Sequence, residues 1–343
     1  VANVVGMRRL VALLAALALV AGGAGAADAK SKPKPKPVPL CPQQTLVLSA
    51  MPVELNAVLA RLDRPAGVTR ETIGGHDYYL GRSGHASLVL TLTGIGPANA
   101  RRAVDAAADA FRCGHRPAFR EVVFSGVSGG DYIGDVVVPS SWAYEFAHSG
   151  GLVSVDDRML ATARRVFARV KPHLLTTAPA GDPACGCQTS PDAVTTVAVQ
   201  HAPAVEVGGR GLTTDPFSGR ELPCVPGGGD VFGCAPCIVQ TDAQRDGPAF
   251  ATGAVPFLDP SFFTGYFASS GDHPGYVAQD EESAAADDEA HHRGMGFLAF
   301  RGVSDGGGDP LSLPGFPAQF FYYRQLAADN AAIATLAFLA AGG

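Results

Sequence analysis

Apolar positions along the chain fall into short continuous runs and into longer stretches at helical spacing. Thr45–Ala50 (TLVLSA) reads as a buried strand. Pro52 then opens a helix with Val53, Leu55, Val58, Leu59 and Leu62 on one side. Leu88–Thr93 predicts a second strand, running into Gly94-Ile95-Gly96, with Pro97 starting an Ala-rich helix over Ala98–Phe111. Glu121–Phe124 predicts a third strand that ends in the turn-like Ser125-Gly126-Val127-Ser128-Gly129-Gly130. Asp135–Pro139 and Gly296–Arg301 predict a fourth and a fifth, the latter followed by Gly302-Val303-Ser304-Asp305, and a helix near Phe320–Ala341 closes the chain. Strands alternating with helices predict an α/β fold, a three-layer α/β/α arrangement around a central twisted mixed sheet. In such sheets ligands sit at the carboxyl ends of strands. The candidate groups are therefore Glu54, the 94–96 turn, the 126–130 turn and Asp305.

Composition adds a leader and a spacer to this picture. Arg8 and Arg9 precede the apolar run Leu10–Val20, and small residues follow through Ala26. That order is the one expected of a secretory signal over 1–26, and the apolar run is shorter than the roughly 20 residues a membrane span needs. Stable membrane insertion after cleavage is not expected, and the mature chain is expected to be secreted or extracytoplasmic. Residues 27–43 carry a Lys/Pro-rich linker, which proline keeps extended and charge keeps solvated. The net charge of −6 is uneven: apart from Lys171, every lysine lies in the linker. The body, 44–343, is correspondingly more acidic. An acidic body argues against nucleic acid as a partner, because that affinity rests on neutralising phosphates. A small neutral or cationic ligand fits better.

Export changes how the cysteines read. Of the 7 cysteines, Cys185, Cys187, Cys224, Cys234 and Cys237 lie in a Gly/Pro-rich stretch without helical periodicity. The stretch at about 180–250 reads as a disulfide-stapled insertion. Zinc on Cys185, Cys187, Cys234 and Cys237 is the rival, with atypical spacing in its C-x-C half. Cys41 and Cys113 each precede a strand and are a possible pair.

Two local motifs are weaker than they look. Gly94-x-Gly96 begins a dinucleotide fingerprint, but Asn99 stands at the third glycine position. Gly126-x-Ser128-x-Gly130 has the spacing of a nucleophile elbow, which requires a helix immediately afterwards. The residues that follow are strand-like (VVVP), and Asp259 with His273 would have to complete the triad. The His291-His292 pair reads as a surface feature at a helix end. No metal site and no cofactor is expected.

Several segments, in order, resemble the nucleoside phosphorylase superfamily, and within it the methylthioadenosine/S-adenosylhomocysteine nucleosidase branch with its storage-protein-like relatives. They are LVLSAMPVEL, TGIGPANA, VFSGVSGGDYIGDVVVP, DEESAAA and FRGVSDGGGDP. The resemblance implies hydrolysis of a purine N-glycosidic bond. Asp305 would be the general acid at the purine, oriented by Ser304 and Arg301. Glu282 would accept hydrogen bonds from the ribose hydroxyls, and Glu54 would orient and deprotonate the attacking water. Ile95, Val127, Ser128 and Gly129 would line the pocket, and Phe257 and Leu258 would stack on the base. The resemblance also implies a homodimer.

Phosphorolysis would need a cation for phosphate in the first loop, and SAMPVEL offers none before Arg61. Water is the expected nucleophile, with a phosphorolytic enzyme the alternative. Glu281 stands where the related sequences carry methionine beneath the ribose, giving three consecutive acids at Asp280-Glu281-Glu282. That departure, the insertion and export keep open a catalytically inactive nucleoside-binding or storage-like protein. An active exported enzyme would serve scavenging of external nucleosides.

Overall fold

The computed structural model describes residues 43–145, 151–178, 196–215, 275–312, 315–316 and 318–342. The expected signal, most of the linker, and Phe257 and Leu258 lie outside the described residues. So does every cysteine except Cys113.

The described chain builds a sheet of 12 strands. These are β1 (Gln44–Ser49), β2 (Thr69–Ile73), β3 (His76–Ser83), β4 (Ala86–Leu92), β5 (Phe119–Tyr132) and β6 (Val136–Val138). There follow β7 (Ser141–Tyr144), β8 (Leu152–Ser154), β9 (Val205–Val207), β10 (Arg210–Thr213), β11 (Ala278–Asp280) and β12 (Gly296–Gly307). The helices are α1 (Pro52–Leu59), α2 (Pro97–Ala110), α3 (Asp157–Arg169), α4 (Ser283–His292) and α5 (Ala318–Ala340). The order along the sheet is β8-β7-β10-β11-β5-β1-β4-β3-β2, with β12 on β5 and β6, and β9 on β6. Parallel and antiparallel pairs coexist, so the sheet is mixed, flanked by helices, as the alternation of apolar runs predicts.

The long strand β5 organises the molecule. Its first half runs parallel to β1, Thr45 opposite Glu121 through Leu48 opposite Phe124. On its other side it runs parallel to β12, from Gly296 opposite Glu121 to Gly307 opposite Tyr132. Beyond the end of β1 it takes β11 as an antiparallel neighbour, Gln279 opposite Gly129. These pairings correct the expectation that β5 turns after Phe124. The glycines of 126–130 continue the strand, held by partners distant in sequence. β12 likewise runs on through Arg301 to Gly307.

A second correction concerns 180–250. Val205–Val207 pairs with β6 and Arg210–Thr213 lies between β7 and β11, so part of the expected insertion belongs to the main sheet.

Local sequence explains most elements. β1 is buried at every position after Gln44, as a strand covered on both faces requires. α1 and α2 start on prolines, whose fixed φ suits the first helical turn and whose missing N–H costs nothing there. Asp156 caps α3 by accepting from the amides of Arg158 and Met159, at 2.9 and 3.0 Å. α5 packs against β12, β5 and α1 with an almost wholly buried surface rich in alanine. Gly302 of β12 makes this closeness necessary: a Cβ there would stand 2.0 Å from the carbonyl oxygen of Ala327. The core joins Leu46, Val47 and Leu48 of β1 to Val122–Phe124 of β5 and Phe297–Phe300 of β12.

Candidate active site

Residues that follow the ends of β1, β4 and β11 meet Arg301–Asp305, inside β12, around Gly126–Gly129 of β5. Glu54, in the first turn of α1, is buried. Its Oε2 accepts from the amides of Ala50 and Met51 at 2.6 and 2.9 Å, and its Oε1 accepts from the amide of Val127 at 2.8 Å. The carboxyl thus closes its own helix start and ties it to β5.

Arg301 enters from the opposite flank of the same strand. Its side chain is buried, with the guanidinium over the Phe124 ring, 4.1 Å from its centroid. It donates to the Val127 carbonyl at 3.1 Å and to the Ser283 hydroxyl from two nitrogens, at 2.9 and 3.1 Å. It pairs with Asp280 at 2.8 Å and Glu282 at 3.3 Å. The other oxygen of Glu282 accepts from the amide of Gly96 at 2.9 Å, placing a carboxyl at the N-terminus of α2. Asp280 serves α4 in the same way, accepting from the amides of Glu282 and Ser283 and from the Thr213 hydroxyl.

Asp305 lies opposite Gly129 in the β5–β12 ladder. Ser304 donates its hydroxyl to Asp305 Oδ1 at 2.7 Å and lies 3.3 Å from the Ser128 carbonyl oxygen, within hydrogen-bonding reach. A side chain at either approach would displace the functional groups themselves. A Cβ on Gly126 would sit 2.6 Å from an Arg301 nitrogen and 2.9 Å from Glu54 Oε1, and one on Gly129 would sit 2.9 Å from Asp305 Oδ2.

The cluster holds more carboxyls than cations. Burial pushes the Glu54 carboxyl above its ordinary value against the opposing pull of Arg301 and three amides. Burial raises Glu282 to about 8, with Asp280 and Glu54 adding to the rise and Arg301 opposing it. Glu281, partly buried, is held well above the carboxylate range by burial and then by Glu282 and Asp280, with Asp305 adding to the rise.

The structure therefore brings Glu54, Glu282, Arg301, Ser304 and Asp305 to one stretch of β5, with Val127, Ser128 and Gly129 forming that stretch. Ile95 lies in the turn before Gly96, whose amide meets Glu282. Arg301 differs from its expected part: its hydrogen bonds and ion pairs go to Asp280, Glu282, Ser283 and Val127, while Ser304 holds Asp305. Ser128 stands inside a strand, and no helix follows it, so the nucleophile-elbow geometry is missing. Sequence reasoning passed over Asp280, Ser283 and Thr213. For Asp280 and Ser283 the signal was an acid-acid-acid-serine run at a strand-to-helix junction, where carboxyls and hydroxyls meet free amides; Thr213, at the end of β10, had no local signal.

This arrangement can be set beside known proteins. The chain is 36% identical to the Mycobacterium tuberculosis protein Rv2293c over 206 residues, 58% of this chain and 78% of that one. Its fold matches the 5′-methylthioadenosine/S-adenosylhomocysteine nucleosidase of Neisseria meningitidis, solved with methylthio-immucillin-A, at TM-score 0.51 and 19% identity. That match covers 87% of this chain and 99% of the nucleosidase. Futalosine hydrolase of Helicobacter pylori matches at TM-score 0.51 and 14% identity, over 87% and 97% of the two chains. The Phosphorylase superfamily pattern covers residues 44–218, from β1 past the end of β10 and so through more than half of the chain, and the chain belongs to that superfamily.

Proposed function

We propose that the protein is a purine nucleoside N-ribohydrolase, cleaving the N-glycosidic bond of adenosine-type nucleosides by acid-assisted attack of water. The observation that carries this reading is the convergence of Glu54, Glu282 and Asp305 on Gly126–Gly129. Glycosidic cleavage needs a proton for the leaving base, negative groups beside a cationic sugar, and a positioned water. Asp305, with Ser304 fixing one oxygen, supplies the proton. Glu282, a buried carboxyl between an amide and a guanidinium, takes the sugar hydroxyls. Glu54, oriented by three amides, holds the water. Ile95, Val127, Ser128 and Gly129 line the pocket. Burial holds Glu282 toward its protonated form, and positive charge developing on the ribose ring would favour its ionisation there.

Hydrolysis is preferred to phosphorolysis because the Ser49–Glu54 loop carries no cation and Arg301 is already paired with two carboxylates. The protein is exported and scavenges external nucleosides. Arg8–Ala26 supports export, and so does Cys113, which is disulfide-bonded and for which Cys41 is the proposed partner. The working unit is a homodimer. Glu281 supports a second reading, a nucleoside-binding protein without turnover, since it adds a carboxyl where the resemblance expects methionine.

The test is release of free base from a panel of purine nucleosides in phosphate-free buffer and again with phosphate. Release without phosphate, reduced at least about 100-fold in Asp305→Asn with folding intact, is the expected result. Ligand-induced stabilisation with no base released supports the binding protein instead, and release only with phosphate supports phosphorolysis.

A further inference from the structure

Asp305 stands at an irregular point of the β5–β12 ladder. Val303 lies opposite Ser128, Asp305 opposite Gly129 and Gly307 opposite Tyr132, so the register slips on both sides of Asp305. The first slip leaves Ser304 as the extra residue on β12. The second leaves the extra residue on β5. A bulge re-aims a side chain, but it also removes ladder bonds that would otherwise fix the strand. Something else must hold the chain just after the acid.

The first turns of α5 do so. Gln319 is buried, and its Oε1 accepts from the amide of Gly306 at 2.9 Å. Its Nε2 donates to Asp309 Oδ2 at 3.2 Å. Asp309 Oδ1 accepts from the hydroxyl of the buried Tyr323 and from the amide of Leu311 at 2.8 Å. On the other side Gly306 is pressed against β5, since a Cβ there would lie 2.2 Å from the Gly130 carbonyl oxygen. The residue following Asp305 is thus clamped between a strand backbone and a helix side chain.

We propose that Gln319, braced by Asp309 and Tyr323, is a positioning residue for the reaction, holding Gly306 so that the Asp305 carboxyl stays beside Gly129. The proposal rests on the nucleosidase reading above. Gln319 acts through Asp305 and supplies no proton itself. Its amide suits the task because one group accepts from Gly306 and donates to Asp309 at once. Small displacements of a reacting group carry large rate costs, about 100-fold for 1 Å.

The test measures base release by the full chain for wild type, Asp305→Asn, Gln319→Ala and Gln319→Glu, with kcat and KM separated across pH. Gln319→Ala is expected to lower kcat by about 10- to 100-fold with KM within about twofold. The limb of its pH profile that reports the proton-donating acid should move. Gln319→Glu keeps an acceptor for Gly306 but faces Asp309 with a second carboxylate. Its kcat should recover as the pH falls and the new carboxyl takes a proton, which Gln319→Ala cannot reproduce. Unchanged kcat in Gln319→Ala, with Asp305→Asn inactive, would overturn the inference and leave the nucleosidase reading standing. The same holds for a loss that follows only the fraction of folded protein, with no pH-dependent recovery in Gln319→Glu. Absence of base release by wild type from every nucleoside would remove both.

Discussion

The two halves of the β5–β12 pair share one ladder and have opposite chemistry. In the first half, Val122, Val123 and Phe124 lie opposite Phe297, Leu298 and Ala299, all fully buried. Stability there comes from apolar area removed from water, in a close-packed setting. In the second half, β5 gives up side-chain bulk at Gly126 and Gly129, and side chains from α1 and β12 occupy the released space. Polar groups there bind the main chain of β5: Glu54 takes its amide, while Arg301 and Ser304 approach its carbonyls. The difference teaches that the site is carved from the sheet by removing Cβ atoms.

Four experiments break or sharpen that contrast, taken from the largest expected effect down. Arg301→Met should cost about 3–5 kcal/mol, because Asp280 and Glu282 lose their shared buried counter-charge. Urea unfolding measures it, and a cost below about 1 kcal/mol would mean that the polar half needs no internal cation.

The second is a pH effect. The Glu282 carboxyl rises from 4.5 in an ordinary setting to about 8 in the fold, so the folded chain holds its proton more tightly. The associated stability is fully present below pH 4.5 and is lost as pH climbs through about 8. Asp287, raised from 3.8 to about 6, tilts the same way. The melting temperature should therefore fall between pH 5 and 8, by the equivalent of a few kcal/mol on the order of the linkage relation. Glu282→Gln should flatten much of this slope, and an unchanged slope would assign it elsewhere.

Third, Gly126→Ala should destabilise the fold by about 1–3 kcal/mol by forcing Arg301 and Glu54 apart, and should reduce base release. Fourth, Asp156→Ala should cost only about 1 kcal/mol. Asp156 caps α3, and its amide donates to the Phe297 carbonyl, at the apolar half of the pair. Base release per folded molecule should not change. If it does, the two halves are coupled more tightly than their chemistry implies.

The apolar half was legible in the sequence and the polar half only partly so. TLVLSA and GFLAFR are continuous apolar runs, and prolines mark the starts of α1 and α2. The stretch Ser125–Gly130 reads as a turn because glycine and serine lack strand preference of their own. It becomes a strand through β12 and β11, partners roughly 150 residues or more away, which no local pattern reports. β9 and β10 were hidden for a similar reason, being short and set in a cysteine- and glycine-rich neighbourhood. Glu54 and Asp305 were found by resemblance and by their places after strands. Arg301 was found, but its partners were not: an arginine in an apolar strand announces a buried ion pair without naming the carboxylates.

The cradle around Glu54 has a consequence for how this sequence can drift. Its three donors belong to the main chain at Ala50, Met51 and Val127, and every amino acid except proline brings the same N–H group. Substitutions at those positions alter bulk or polarity while the grip on the carboxyl persists. Descendants of this chain can therefore diverge widely around Glu54 and still aim it the same way, with proline the one replacement that opens the cradle.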